Sequence, residues 1–395
     1  MRQHTGLLYW GIRAILLLLI VAVSFVHFFL PGLVERSMNV VAPVDAATVR
    51  PDAQALHDSL FIADLHSDSM LWKRNFLKRS NTGHMDLPRL QEGNVALQVF
   101  SATTKSPRGL NYDRNLASSS DDVTRLAVLS FWPPRTWDSL FERARYQLEK
   151  LERYAKNSNG ELMVIRTRGE LSAFIEKRKQ DPRLTAGLFL IEGAHPLEGD
   201  IDSLDRLFDE GLRVAGLTHF FDNELGGSLH GISGEGLTPF GIRVIQRAEK
   251  LGMIVDIAHS SPAMVEDVLA NFNGPLMLSH GGMKGHCDRN RNLDDKLMRR
   301  FAQKGGLLGV GYWDGAICNR SPAGVAQAIR YAVDALGIEH VALGSDYDGT
   351  VVTGFDTSQL VLLTQALMDA QFTESEIRAV MGENVKRFFL THLPE

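Results

Sequence analysis

Residues 253–259 read MIVDIAH and residues 275–280 read PLMLSH. Each is an almost wholly apolar run that stops on a histidine, without the polar–apolar alternation of a strand with one wet face. Such runs suit strands buried on both faces of a parallel sheet. Working outward from this pair, the same design recurs. FIADLHSD (61–68) closes on His66 and Asp68, GLFLIEG (187–193) on Glu192, and HVALGSD (340–346) on Asp346. One strand ending in a polar residue says little. Repeated this often, the pattern is that of a barrel whose carboxyl-terminal rim gathers metal-ligating side chains.

Eight apolar runs fit the count: 60–65, 95–101, 186–191, 213–218, 253–258, 275–279, 306–311 and 340–345. MVIRT (163–167) is a further candidate strand. Helical patterns separate most of them, as in TPFGIRVIQRAEKLG (238–252), SPAMVEDVLANF (261–272), NLDDKLMRRFAQKG (292–305) and SPAGVAQAIRYAVDALG (321–337). Thr, Ser or Asn opens these segments and Gly closes several, as helix caps prefer. Strand–helix alternation implies parallel βα units, and eight strands favour a closed (β/α)8, or TIM, barrel over an open sheet. Residues 103–160 are expected to be an insertion that walls the barrel mouth, polar in its middle and then charged and helical (DSLFERARYQLEKLERYAKN, 138–157). ESEIRAVMGENVKRFFL (374–390) is expected as a terminal helix interrupted at Gly382 and Asn384.

The formal charge of −5 gives no broad basic field, which argues against nucleic acid as a partner. The amino terminus stands apart. AILLLLIVAVSFVHFFLPGLV (14–34) carries no charged side chain and is long enough to cross a bilayer. Arg2 and Arg13 precede it, and the positive-inside tendency keeps the short amino end cytoplasmic and exports the rest. Residues 1–34 are therefore expected as a stub plus transmembrane anchor, 35–55 as a linker and 56–395 as the barrel domain, on the exported side of the cell membrane, periplasmic in a bacterium. A cleaved signal peptide with a cut at Ala46 competes, although its apolar core would be longer than usual. Cys287 and Cys318 are the whole cysteine complement. Export would let a disulfide persist between them, and unlinked thiols stay open.

His66 and Asp68 form an HxD pair. Alternation points residues i and i+2 to one side, so both side chains can face one cation, and imidazole plus carboxylate suits zinc. Glu192 offers two oxygens that can bridge two cations, with Gly193 allowing a sharp turn; a solvated loop acid is the plain alternative, and His195 competes nearby. His259 and His280 end consecutive strands, and two neutral imidazoles buried together need a partner that a cation supplies. Asp346 is placed to accept and return a proton. Asp348 competes with it, and a helix cap is the plain alternative for either. His219 in GLTHFFDNELGG (216–227) can donate to an oxyanion, and Arg291 in CDRNRNLDD (287–295) can grip a carboxylate in a bidentate fork. Taken alone, His219 reads equally as a loop or core histidine, and Arg291 as part of a solvated basic cluster with Arg289.

Several stretches carry a resemblance that these residues do not carry singly: LHSD (65–68), GHMDLPRLQEGNVALQVFS (83–101), IEGAHPL (191–197), LRVAGLTHFFDN (212–223), LGMIVDIAHSS (251–261), LMLSHGG (276–282), RNRNLDD (289–295), HVALGSDYDG (340–349) and GENVKRF (382–388). In this order, over roughly Leu60 to Leu390, the chain resembles the membrane dipeptidase (renal dipeptidase) family, zinc peptidases on amidohydrolase-type barrels. The resemblance implies two Zn2+ per chain, or other divalent ions. His66 and Asp68 would bind one, His259 and His280 the other, and Glu192 would bridge. A hydroxide shared by the ions would attack the peptide carbonyl, Asp346 would carry its proton to the leaving amine, His219 would bind the oxyanion, and Arg291 would hold the terminal carboxylate. It further implies a dipeptide substrate with tolerance of a D-residue at the carboxyl end and a Cys287–Cys318 disulfide; a homodimer stays open. Two places depart from the family pattern: LHSDS (65–69), and HFFDNELGGSLHG (219–231) after the expected catalytic histidine. The end THLPE lacks an apolar tail for a lipid anchor, so the amino-terminal span is expected to serve. Hydrolysis of a cyclic amide, lactone or phosphoester on the same barrel is the alternative activity, and a tethered metal-binding protein without turnover is a third.

Overall fold

Because Val, Ile and Leu crowd each apolar run, burial on both faces is the only arrangement that removes them from water. The computed structural model describes residues 2–42 and 48–395; the Ala46 cut lies outside the described residues. Eight parallel strands form a ring: β1 (Ile62–Asp64), β2 (Val95–Thr103), β3 (Thr185–Glu192), β4 (Leu212–Gly216), β5 (Ile254–Asp256), β6 (Leu276–Gly281), β7 (Leu307–Val310) and β8 (Val341–Leu343). Each pairs with its neighbour in sequence, and Leu343 of β8 pairs with Asp64 of β1, which closes the barrel. All eight apolar runs therefore contribute a stave. Leu162–Val164, from MVIRT, is a short side strand against the start of β3.

Side-chain caps start the outer helices, at the expected Thr or Ser in three cases and at Asp294, two residues after the expected Asn292, in the fourth. Thr238, Ser261, Asp294 and Ser321 accept from the backbone N–H groups of Gly241, Met264, Lys296 and Gly324. Each cap satisfies a donor that the first helical turn leaves without a partner. The terminal helical segment breaks at Gly382, where a Cβ would lie 1.8 Å from the Phe61 carbonyl oxygen, so only glycine lets the chain pass beneath β1. Between β2 and the side strand, residues 103–160 hold helices Asp122–Leu129, Arg135–Asp138 and Leu140–Asn157. Arg143, nearly buried, fastens them by donating to the carbonyls of Thr136, Thr104 and Trp137 and to Asp121.

At the amino end, α1 (Arg2–Phe28) runs into α2 (Leu30–Met38). The stretch Tyr9–Met38 is long and apolar enough to cross a membrane, and large apolar side chains from Tyr9 to Phe29 stand exposed. Within 35–55, Val40–Val41 pairs in parallel with Val352–Thr353, and Pro51–Asp58 is helical. Cys287 and Cys318 are joined in a disulfide, with Cα atoms 5.6 Å apart.

Candidate metal centre

The strand ends converge on one buried cluster at the barrel mouth. Ligand atoms of His66, Asp68 and Glu192 lie within 4.8 Å of one another, as do those of Glu192, His259 and His280, and those of His66, His280 and Asp346. Glu192 belongs to two of these groups. Its Oε1 is 3.1 Å from His259 Nε2, 3.3 Å from His280 Nε2 and 3.6 Å from His66 Nε2. His259 and Asp346 both adopt left-handed backbone, φ 61° and 60°, a strained conformation that turns each side chain back over the barrel.

The donor set fits divalent cations. His66 Nε2 is buried without a hydrogen-bond partner, and His259 Nε2 faces His280 Nε2 at 3.0 Å. With both facing nitrogens as lone pairs the two rings repel, and a cation relieves this. The far sides of the His66 and His280 rings are already engaged. Ser279 Oγ lies 3.1 Å from His66 Nδ1 and 2.9 Å from His280 Nδ1, and donates its own proton to Asp256 Oδ2 at 2.6 Å. Its oxygen must therefore accept from both Nδ1–H groups, so that when the two rings are neutral, as cation binding requires, both Nε2 lone pairs face the centre.

The electrostatics of the ion-free cluster are lopsided. Burial would lower the His66 imidazole, but Glu192, Asp68 and Asp346 outweigh it and hold it up at about 10. Burial, then the Arg291 charge, pushes His259 well below the usual imidazole range; burial, then His66, does the same to His280. Asp346 is pushed well up, first by burial and then by Asp68 and Glu192, against the pull of His66. Glu192 is also desolvated, yet His219 and His66 keep it below its ordinary value.

His219 and Arg291 join the cluster. His219 Nδ1 is 3.1 Å from the Lys105 carbonyl, and its Nε2 is 3.5 Å from Glu192 Oε2. Arg291, 2% exposed, donates to the His280 carbonyl at 2.8 Å and stacks over Trp313, yet among the described residues no carboxylate pairs with it. The competitors lie elsewhere. His195 packs on the Gly193 backbone with both ring nitrogens unpartnered, and Asp348 turns away to Arg74 and Ser69. Burial would raise Asp348, but Arg74 and His84 hold it far below the carboxylate range.

Some site residues were not foreseen. Thr103, the last residue of β2, has its hydroxyl 2.7 Å from Asp68 Oδ1 and 2.8 Å from Glu192 Oε2. Tyr112, from the insertion, accepts from Trp313 Nε1 at 2.8 Å, and His230 stacks on Phe220. Tyr112, Phe220 and Trp313 line, with the cluster, a cavity of about 240 Å³. That is below the usual range for drug-sized ligands, roughly 300–1,000 Å³.

A family model described as membrane dipeptidase (peptidase family M19) matches residues 50–391. The chain is 26% identical over 351 residues to dipeptidase aclJ of Aspergillus oryzae, covering 82% of this chain and 76% of that one. It is 27% identical over 322 residues to dipeptidase verJ of Clonostachys rogersoniana, covering 77% and 74%. Its fold is similar to that of a metallopeptidase from Rhodobacter sphaeroides liganded with a phosphinate mimic of the dipeptide L-Ala-D-Ala, with a TM-score of 0.69 and 24% identity over 85% of this chain and 99% of that one.

Proposed function

This chain belongs to the membrane dipeptidase family and is a metallo-dipeptidase, and from that premise we propose that it cleaves dipeptides with a free carboxyl terminus, using two zinc ions. His66 and Asp68 would hold one ion and His259 and His280 the other, with Glu192 in reach of both pairs. The chemistry such ions would supply there is Lewis acidity, toward a water and toward the scissile carbonyl.

The chain's own groups do the rest. Asp346 takes the water's proton and returns it to the departing amine, a task suited to a carboxyl whose proton affinity burial has raised. His219 faces the developing oxyanion. Its Nδ1 is held 3.1 Å from the Lys105 carbonyl, which turns Nε2 into the site, 3.5 Å from Glu192 Oε2. Thr103 steadies Asp68 or Glu192 with its single proton. The L-Ala-D-Ala mimic on the R. sphaeroides protein supports tolerance of a D-residue at the carboxyl end. α1 anchors the catalytic domain on the exported face of the membrane.

One observation carries the substrate assignment: Arg291 is a buried guanidinium beside the cluster and, among the described residues, has no carboxylate partner. A buried charge of this kind is costly until an anion meets it, and the terminal carboxylate of a dipeptide supplies one in bidentate geometry. The test compares a dipeptide, the corresponding tripeptide and the C-amidated dipeptide, with and without chelator. Chelator-sensitive turnover of the free dipeptide alone is expected; equal turnover of the amidated form removes the role given to Arg291.

A further inference from the structure

The catalytic cavity has a wall that precedes residue 50, where the family match begins. Pro31, Val34 and Met38 of α2 line it together with the metal-centre residues. α2 is more than a tether. Its Glu35 is 2% exposed and pairs with Arg74, whose second arm pairs with Asp348, two residues beyond Asp346. Asn39 Oδ1 accepts from the Thr350 N–H at 2.8 Å, and Val40–Val41 extends the attachment by strand pairing. Pulling α2 away would leave a buried guanidinium short of a partner, so the barrel holds this helix in place.

The surface that α2 gives to the cavity is apolar. Val34 and Leu126 pack against a cluster that contains Leu71, Trp72 and Val123. Leu71 and Trp72 come just after Asp68 in the chain, so this wall stands on the His66–Asp68 side. Arg291 stands on the other side, its Nη2 3.4 Å from His259 Nε2. A substrate with its carboxylate on Arg291 and its scissile carbonyl over Glu192 must direct its amino-terminal residue toward α2.

We propose that α2, with Val123, Leu126 and Leu129 of the Asp122–Leu129 helix, forms an aliphatic subsite of the catalytic cavity, which the paired Asp122 and Arg125 also line, and that preferred substrates carry an aliphatic group on the amino-terminal residue. The inference rests on the dipeptidase reading above. The same chemistry is met by an aliphatic side chain or by an acyl chain on the amine.

The test uses the full-length, metal-loaded protein in lipid nanodiscs, with glycyl-D-alanine, norleucyl-D-alanine and N-octanoylglycyl-D-alanine as substrates. An apolar pocket separates substrates by roughly 10–200-fold per well-placed methylene. At least one aliphatic substrate should therefore exceed the glycyl one in kcat/KM by about 10–100-fold, and which one does so identifies the source of the group. Val34→Trp fills the compartment and Val34→Asp charges it; both should pull that ratio toward one. A wild-type ratio near one, or a ratio unchanged in both variants, overturns the subsite while leaving the dipeptidase reading intact. No turnover of any of the three, nor of other free dipeptides, removes that reading and the subsite with it.

Discussion

His66 and His280 lie with ring centroids 3.8 Å apart although their strands, β1 and β6, are not neighbours in the barrel. Ser279 Oγ sits behind both rings, accepts from both Nδ1 atoms and is itself anchored to Asp256. This one hydroxyl fixes the tautomer of two candidate ligands. Losing such support typically costs about 10–100-fold in metal affinity, and that is the effect expected of Ser279→Ala, measured by competition with a chromophoric chelator. Unchanged affinity would show that the rings are oriented by packing alone.

Arg291→Met tests the carboxylate clamp. Truncating one partner of a buried, hydrogen-bonded charge pair costs about 2–5 kcal/mol, which is roughly 30- to 5,000-fold in kcat/KM. The loss should appear with a free dipeptide and be much smaller with its C-amide. A uniform loss on both would place Arg291 in the support of the His280 backbone instead.

Asp346→Asn keeps the size of the side chain and removes the base. General acid–base help is worth about 10²–10⁴ in rate, so kcat should fall by that much while bound metal and KM change little. Near-wild-type kcat in the fully metallated variant would refute the assignment; loss of one ion would make Asp346 a ligand.

Away from the site, His57 sets an acid limit on stability. Its Nδ1 is 2.8 Å from Thr364 Oγ1, and burial lowers its imidazole from 6.5 to about 4. Below pH 6.5 the unfolded chain binds a proton that the folded chain refuses, so stability present above that pH is lost as the pH falls through 4. At about 1.36 kcal/mol per pKa unit, the stability of wild type relative to His57→Gln should drop by about 2–3 kcal/mol between pH 7 and 4.5. Denaturant unfolding at the two pH values measures it, and a constant difference would contradict the buried neutral imidazole.

The barrel and the cluster at its mouth were legible because each candidate ligand ends an apolar strand, where hydrophobicity stops and chemistry begins. His259 and His280 are the plainest examples. What supports them was hidden for the same reason. Ser279 and Asp256 lie inside apolar runs, where a small or polar residue carries no periodic signal of its own. Thr103 falls beyond the run read at 95–101, because β2 continues two residues further than its apolar content. Tyr112 comes from a polar insertion whose fold depends on the buried contacts of Arg143, not on local pattern. Glu35 looked like a charge flanking a membrane span. Only the fold brings it to Arg74 and makes the span's continuation a wall of the cavity.

The central claim is a two-ion dipeptidase centre built on Glu192. Titrating the chelator-stripped protein with Zn2+ while following hydrolysis of a free dipeptide tests it most directly. Activity should be absent without metal and rise to a plateau at two ions per chain, and Glu192→Gln should abolish that plateau. Full activity in the metal-free protein, or a plateau at one ion, would contradict the account.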